Sequence, residues 1–223
     1  EINFLLEEFC KRAKEFGISG IISIVGGAAI LLAYNEDRPS TTDVDALLPN
    51  HPQITRIIAQ IASENGLTYE WLNGHVEEFV PFGVEDAWKI YKEIYGITVR
   101  IATAELLLAM KLTAGRPAKD YADIETLIDL VQLQSIDEAM ALLNKFRITR
   151  PVKDATWDFV QKVLIRNAEE DAEDYATIDE HHKRIQKLRD ENPGRSEDEI
   201  WELLRNDPEH GFVEWNSIQL DED

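Results

Sequence analysis

Asp43 and Asp45 stand two residues apart in the short apolar run Asp43-Val-Asp-Ala-Leu-Leu48, and no other pair in this chain is better spaced to do chemistry. Residues i and i+2 of a strand face the same way, so both carboxylates are expected on one side, with Val44 packed behind them. Two acids this close repel unless something positive lies between them. A divalent cation shared with the oxygens of a phosphate-bearing substrate meets that need. Upstream, the apolar run Ile22-Ser-Ile-Val25 enters Gly26-Gly27 and then the apolar stretch Ala28–Tyr34. Without Cβ atoms, the backbone there can approach a phosphate and offer N–H donors at a helix start. Plainer readings remain open: the glycines as a strand-to-helix turn, and Asp43 as a turn or cap residue after Pro39-Ser-Thr-Thr42. Asp45 resists the plain reading, because it interrupts an apolar strand.

A second set of candidates lies between Thr103 and Leu127. Leu106, Leu107, Met110 and Ala114 form an apolar stripe at helical spacing, with Lys111 at its edge. Lys111 is either a solvated lysine whose stem snorkels along the stripe or a cation aimed at phosphates. Pro117 opens the next helix, which carries Lys119, Asp120 and Asp123. The two aspartates are spaced i, i+3 and share a face. Acids in a first turn also favour the helix dipole with no ligand at all.

Together these residues resemble the nucleotidyltransferase signature of the polymerase-β-like superfamily, in which a Gly-Gly or Gly-Ser turn precedes an Asp-x-Asp strand by one short helix. The form Arg38, Thr41, Thr42, Asp43, Asp45, followed by Arg116-Pro-Ala-Lys-Asp-Tyr-Ala-Asp-Ile124, is most similar to the AbiEii-type toxin branch and its minimal relatives. The likeness covers roughly residues 20–130. It implies transfer of a nucleoside monophosphate from a nucleoside triphosphate to an acceptor hydroxyl, with tRNA or a protein side chain as acceptor, in a toxin–antitoxin or phage-defence setting that includes an antitoxin partner. By the same resemblance, Asp43 and Asp45 would hold Mg²⁺ or Mn²⁺. Gly26, Gly27, Arg38, Thr42 and Lys119 would bind the nucleotide, and Lys111, Asp120 and Asp123 would complete the catalytic set. One departure stands out. Fully equipped relatives carry a third carboxylate on a later strand, where Ile97-Thr-Val-Arg-Ile-Ala102 has Arg100 instead. Asp120 or Asp123 would then have to substitute, or the site binds nucleotide without turnover.

The elements that must position these residues are legible as a pattern. Helices are predicted over 3–16, 28–34 and 53–65, and strands over 20–25, 43–48, 67–72 and 97–102. Asn73-Gly74 reads as a tight turn with 75–80 as a hairpin partner. From Thr103 the pattern is helical almost to the end. The fold class expected is therefore α+β, a small mixed sheet with flanking helices followed by an all-helical C-terminal half. Three parts are expected: residues 1–102 as the α/β core, 103–166 as a helical subdomain completing the cleft, and 167–223 as an acidic helical extension. In that extension 155–189 reads as one long helix, Asn192-Pro-Gly194 breaks it, and Ser196-Glu-Asp-Glu199 caps the next. Trp201, Phe212, Val213, Trp215 and Ile218 are its expected anchors.

Composition sets the limits. At 223 residues and 44% hydrophobic, the chain can bury a sizeable core. Its single cysteine, Cys10, excludes an internal disulfide. No apolar run or signal peptide points to a membrane, and a cytoplasmic location is expected; the start at Glu1, without Met, allows for a lost leader. The five histidines match no zinc spacing. Formal net charge is −20, and residues 167–223 hold 19 acids against 6 bases, or −13 of it. Such a charge opposes extended contact with a long nucleic acid. A local basic patch from Arg38, Lys111, Arg116 and Lys119 can still receive a triphosphate.

Overall fold

The computed structural model describes residues 2–39, 41–81 and 83–205. It is an α+β structure with a mixed five-stranded sheet, flanking helices and a largely helical C-terminal half. By contacts the chain divides into two units, 1–164 and 165–223.

In the first unit, α1 (Ile2–Glu15) buries Leu5, Leu6, Phe9, Cys10 and Ala13 along one stripe. β1 (Gly20–Ile24) leads through Val25 into α2 (Gly26–Ala33), and β2 (Val44–Leu47) returns antiparallel to β1. α3 (Ile54–Asn65) ends on Gly66 in the left-handed conformation. β3 (Leu72–Asn73) pairs parallel with β2. β4 (Trp88–Ile94) and β5 (Ile97–Ala102) form a hairpin whose inner strand, β5, runs parallel to β1. The strand order is therefore β3-β2-β1-β5-β4. One face of the sheet presents Ile22, Ile24, Val44, Ala46, Val99 and Ile101, all at most 2% exposed.

α4 (Ala104–Ala114) starts at Thr103, whose hydroxyl accepts from the Leu106 N–H. α5 (Pro117–Val131) has proline in its first turn, where the missing N–H costs nothing. α6 (Ile136–Lys145) and the start of α7 (Asp154–Glu191) complete the unit. Tyr121 stacks on Phe159 with ring centroids 4.1 Å apart, and its hydroxyl donates to the Ala155 carbonyl. A single core runs from Leu5 to Val163. The expected boundary at 102/103 thus separates no two cores, because Leu106–Leu108 and Leu112 are as buried as the strands they cover.

Two expectations about strands are corrected. Residues 75–80 form turns and no strand, and β3 has only two residues. The Asn73 side chain accepts from the His75 N–H, closing a local turn in place of a hairpin. The real hairpin joins β4 and β5 through Tyr95 and Gly96, both at positive φ (51° and 85°), as a two-residue turn of the primed kind requires.

In the second unit the described residues are the rest of α7 and α8 (Glu197–Arg205). Ile185, Leu188, Ile200 and Leu204 make a small apolar cluster. Ser196 and Glu199 exchange the two hydrogen bonds of a capping box. Trp201, an expected anchor, is 40% exposed while Ile200 and Leu204 carry the burial. Phe212, Val213, Trp215 and Ile218 lie outside the described residues. No helix among the described residues is long and apolar enough to cross a membrane.

Candidate functional site

The turn from β1 into α2 brings the glycines against the acid strand. Gly26 has φ +67°, and a Cβ on it would lie 3.0 Å from Asp45 Oδ2. The Val25 N–H donates to the Asp45 carbonyl at 3.0 Å, fixing the two segments side by side. Val44 and Ala46 are buried behind the strand, so Asp45 faces the other way, as alternation requires. Asp45 lines a cleft of about 680 Å³, together with Gly26, Gly27, Leu107, Lys111 and Arg116. That volume lies within the range of small-molecule sites. Asp43 stands just before the strand, exposed, and accepts from the Thr41 hydroxyl at 2.9 Å. It is outside the cleft lining, yet close enough to act on Asp45. Burial pushes the Asp45 carboxyl above its usual range, and the charge of Asp43 pushes it further, against the opposing influence of Asn73, His75 and Arg116. The pair thus concentrates negative charge that Asn73, His75 and Arg116 offset only in part.

The second motif is placed differently from the expected phosphate contact. Lys111 is 7% exposed, and its ammonium lies 2.8 Å from Asp120 Oδ1 and 2.7 Å from Asp123 Oδ2. Arg38 grips Asp123 with both arms of its guanidinium, Nε to Oδ1 at 2.7 Å and Nη2 to Oδ2 at 3.0 Å. Arg116 takes Asp120 through its backbone N–H, Nε and Nη2 at 2.9–3.1 Å. The result is a ladder, Arg38–Asp123–Lys111–Asp120–Arg116, in which both carboxylates are saturated. Burial raises the Asp120 carboxyl, but the bonds from Arg116 and Lys111 outweigh it and hold it at about 2. Burial likewise raises Asp123, and Arg38 and Lys111 bring it below its ordinary value. Both acids are thus engaged by cations of the chain itself, and Lys111 spends its charge inside the ladder.

Arg38 reaches the glycines from that ladder. A Cβ on Gly27 would lie 2.7 Å from Arg38 Nη2, so a side chain there would displace the guanidinium. The ladder therefore ties α4 and α5 to the first turn of α2. Arg116, at its other end, also feels Asp45 and Asp43. Thr42 and Lys119 are exposed and outside the cleft lining, so the structure does not bring them to the acid pair. Arg100 lies in register with Ser23 on β1, donates to its hydroxyl at 2.7 Å, pairs with Glu85 at 2.8 Å and packs over Trp88. Among the described residues, no group of three or more histidine, cysteine or acidic side chains is placed to hold a metal.

Among the cleft residues that escape the sequence reading are His75 and Phe79 from the loop after β3, and Arg147 and Arg150 from the loop between α6 and α7. None belongs to a spaced motif, and loop residues carry no periodicity to mark them. The chain matches no protein-family model, and no curated protein is significantly similar to it.

Proposed function

We propose that this chain is a metal-dependent nucleotidyltransferase, moving a nucleoside monophosphate from a nucleoside triphosphate to an acceptor hydroxyl with loss of pyrophosphate. The observation that carries this reading is the meeting of Asp45, under the influence of Asp43, with the Gly26-Gly27 turn at the wall of a cleft of about 680 Å³. Hard carboxylate oxygens suit Mg²⁺ or Mn²⁺, and Asp43 and Asp45 are the residues that would hold it. When bound, such an ion would neutralise phosphate charge and make an acceptor hydroxyl more acidic.

The rest falls to the chain itself. Gly26 and Gly27 leave the backbone bare at the start of α2, where N–H groups and the helix dipole favour a phosphate. Arg38, held by Asp123, keeps a positive charge beside that turn. Arg116 offers a second one beside the acid pair. Leu107, Met110, Val76 and Val80 give the cleft an apolar part of its lining beside these charges. The acceptor, a tRNA end or a protein side chain, and the toxin–antitoxin role with an antitoxin partner in the cytoplasm, follow from the motif resemblance.

A second reading is an inactive nucleotide-binding or protein-interaction module on the same fold. Arg100 in place of a strand carboxylate and the saturation of Asp120 and Asp123 favour it. Pyrophosphate release with Mg²⁺, each nucleoside triphosphate and either total tRNA or cell lysate separates the two. Release that disappears in Asp45→Asn supports transfer; no release with any nucleotide or acceptor, from a protein that binds nucleotide, supports the module.

A further inference from the structure

We infer that Arg147 and Arg150 form the polyphosphate-binding edge of the cleft, the task that the sequence motif points to Lys111 and Arg38. Charge counting leads there. Arg38, Lys111 and Arg116 share two carboxylates, Asp120 and Asp123, which leaves one positive charge in surplus against Asp45 and Asp43. A triphosphate entering that cleft adds further negative charge, and a cation on the acid pair offsets only part of it. The additional positive charge on the cleft wall comes from Arg147 and Arg150, with Glu78 as the one further acid lining the cleft. Among the described residues no carboxylate pairs with either arginine, in a chain where acids outnumber bases 43 to 23.

Their placement is built, not incidental. The Arg150 guanidinium packs over the Phe79 ring at 4.0 Å, which orients it at the cleft wall. Arg147 sits just past the end of α6 with φ +54°, a left-handed position that ordinarily goes to glycine. The Arg147 N–H donates to the Asn144 carbonyl, and the Ile148 N–H to the Leu143 carbonyl, so the chain turns sharply there and carries both arginines to the same cleft. The ligand class is an oligophosphate. Its identity as the tail of a nucleotide rests on the nucleotidyltransferase reading, whereas the anion site does not.

The test is calorimetric titration of sodium tripolyphosphate, in EDTA and low salt, into the full chain. The wild type binds, and Arg147→Gln with Arg150→Gln weakens binding at least tenfold. An equal charge loss at the exposed Arg56→Gln with Lys162→Gln changes it less than twofold. Arg147→Lys with Arg150→Lys retains affinity within about threefold, which separates lost charge from lost folding. Asp43→Asn with Asp45→Asn binds as tightly or more tightly, since a repelling pair is gone. No binding to the wild type, or equal weakening by the cleft and control pairs, overturns the inference. Metal-free binding through the arginines without any Mg²⁺-dependent nucleotide binding leaves this site standing and removes the nucleotidyltransferase reading instead.

Discussion

At the scale of single residues, Asp45 and Lys111 show opposite ways of burying charge. Asp45 has a raised carboxyl, through burial first and Asp43 second. Its folded form therefore holds a proton more tightly than its unfolded form, and stability falls as pH rises from the ordinary carboxylate value through the raised one. Above the raised value that penalty is fully present. Asp45→Asn should melt at a higher temperature than the wild type at pH 7, while losing metal-dependent nucleotide binding. A lower melting temperature would mean that Asp45 is a stabilising residue and not a strained ligand. Lys111 is the reverse case, because its charge is what allows Asp120 and Asp123 to be buried. Lys111→Met should cost about 3–5 kcal/mol in denaturant unfolding at pH 7, the usual penalty for removing one partner of a buried ion pair. Both carboxylates have lowered values, with Asp120 at about 2. The stability they supply is present above the ordinary carboxylate value and is lost as pH falls toward 2. The deficit in Lys111→Met should accordingly shrink over that interval, and a deficit independent of pH would point to lost packing alone.

At the scale of elements, the β1–α2–β2 unit decides whether a phosphate can sit beside the acids. Gly26→Ala would place a side chain at φ +67° and a methyl group 3.0 Å from Asp45. A loss of about 1–3 kcal/mol is expected from the backbone alone, and nucleotide binding should fall with it; an unchanged binding constant in a folded variant would show that the turn does not approach the ligand. This unit was legible in the sequence, because glycines between two apolar runs and an acid at every second residue leave few alternatives. Ser196 was legible as a cap for the same local reason. What escaped depends on contacts distant in the chain. Arg38 and Asp123 are 85 residues apart, and no spacing rule announces that they meet. Lys111 reads as a snorkelling lysine until its two carboxylates are placed around it. β4 was missed because three of its seven positions are partly covered and the rest exposed, as at a sheet edge, so it shows no clean alternation. Asn73-Gly74 misled because its asparagine closes a side-chain turn, while the true hairpin uses Tyr95 at a position where Asn or Gly is the common choice.

At the scale of the whole molecule, charge and folding units divide at nearly the same place. Residues 1–164 contain the sheet, the cleft and the ion ladder, and residues 167–223 hold −13 of the −20 net charge. The chain ending at Arg166 keeps Val160 and Val163 in the core and should fold cooperatively by itself. With most of the net negative charge removed, it should bind nucleotide more tightly than the full chain at low salt, and the gap should close as salt rises past the physiological range. Equal affinity at every salt concentration would confine the acidic segment to a role unrelated to the cleft. The central claim, that Asp43 and Asp45 hold a metal–triphosphate complex, is tested most directly by calorimetric titration of ATP, CTP, GTP and UTP with and without Mg²⁺ into the wild type and an Asp43→Ala, Asp45→Ala variant. At least one nucleotide should bind the wild type, Mg²⁺ should tighten it tenfold or more, and the variant should lose that metal-dependent gain while its metal-free binding persists. Binding that ignores Mg²⁺, or a Mg²⁺ effect that survives the loss of both aspartates, would contradict the account.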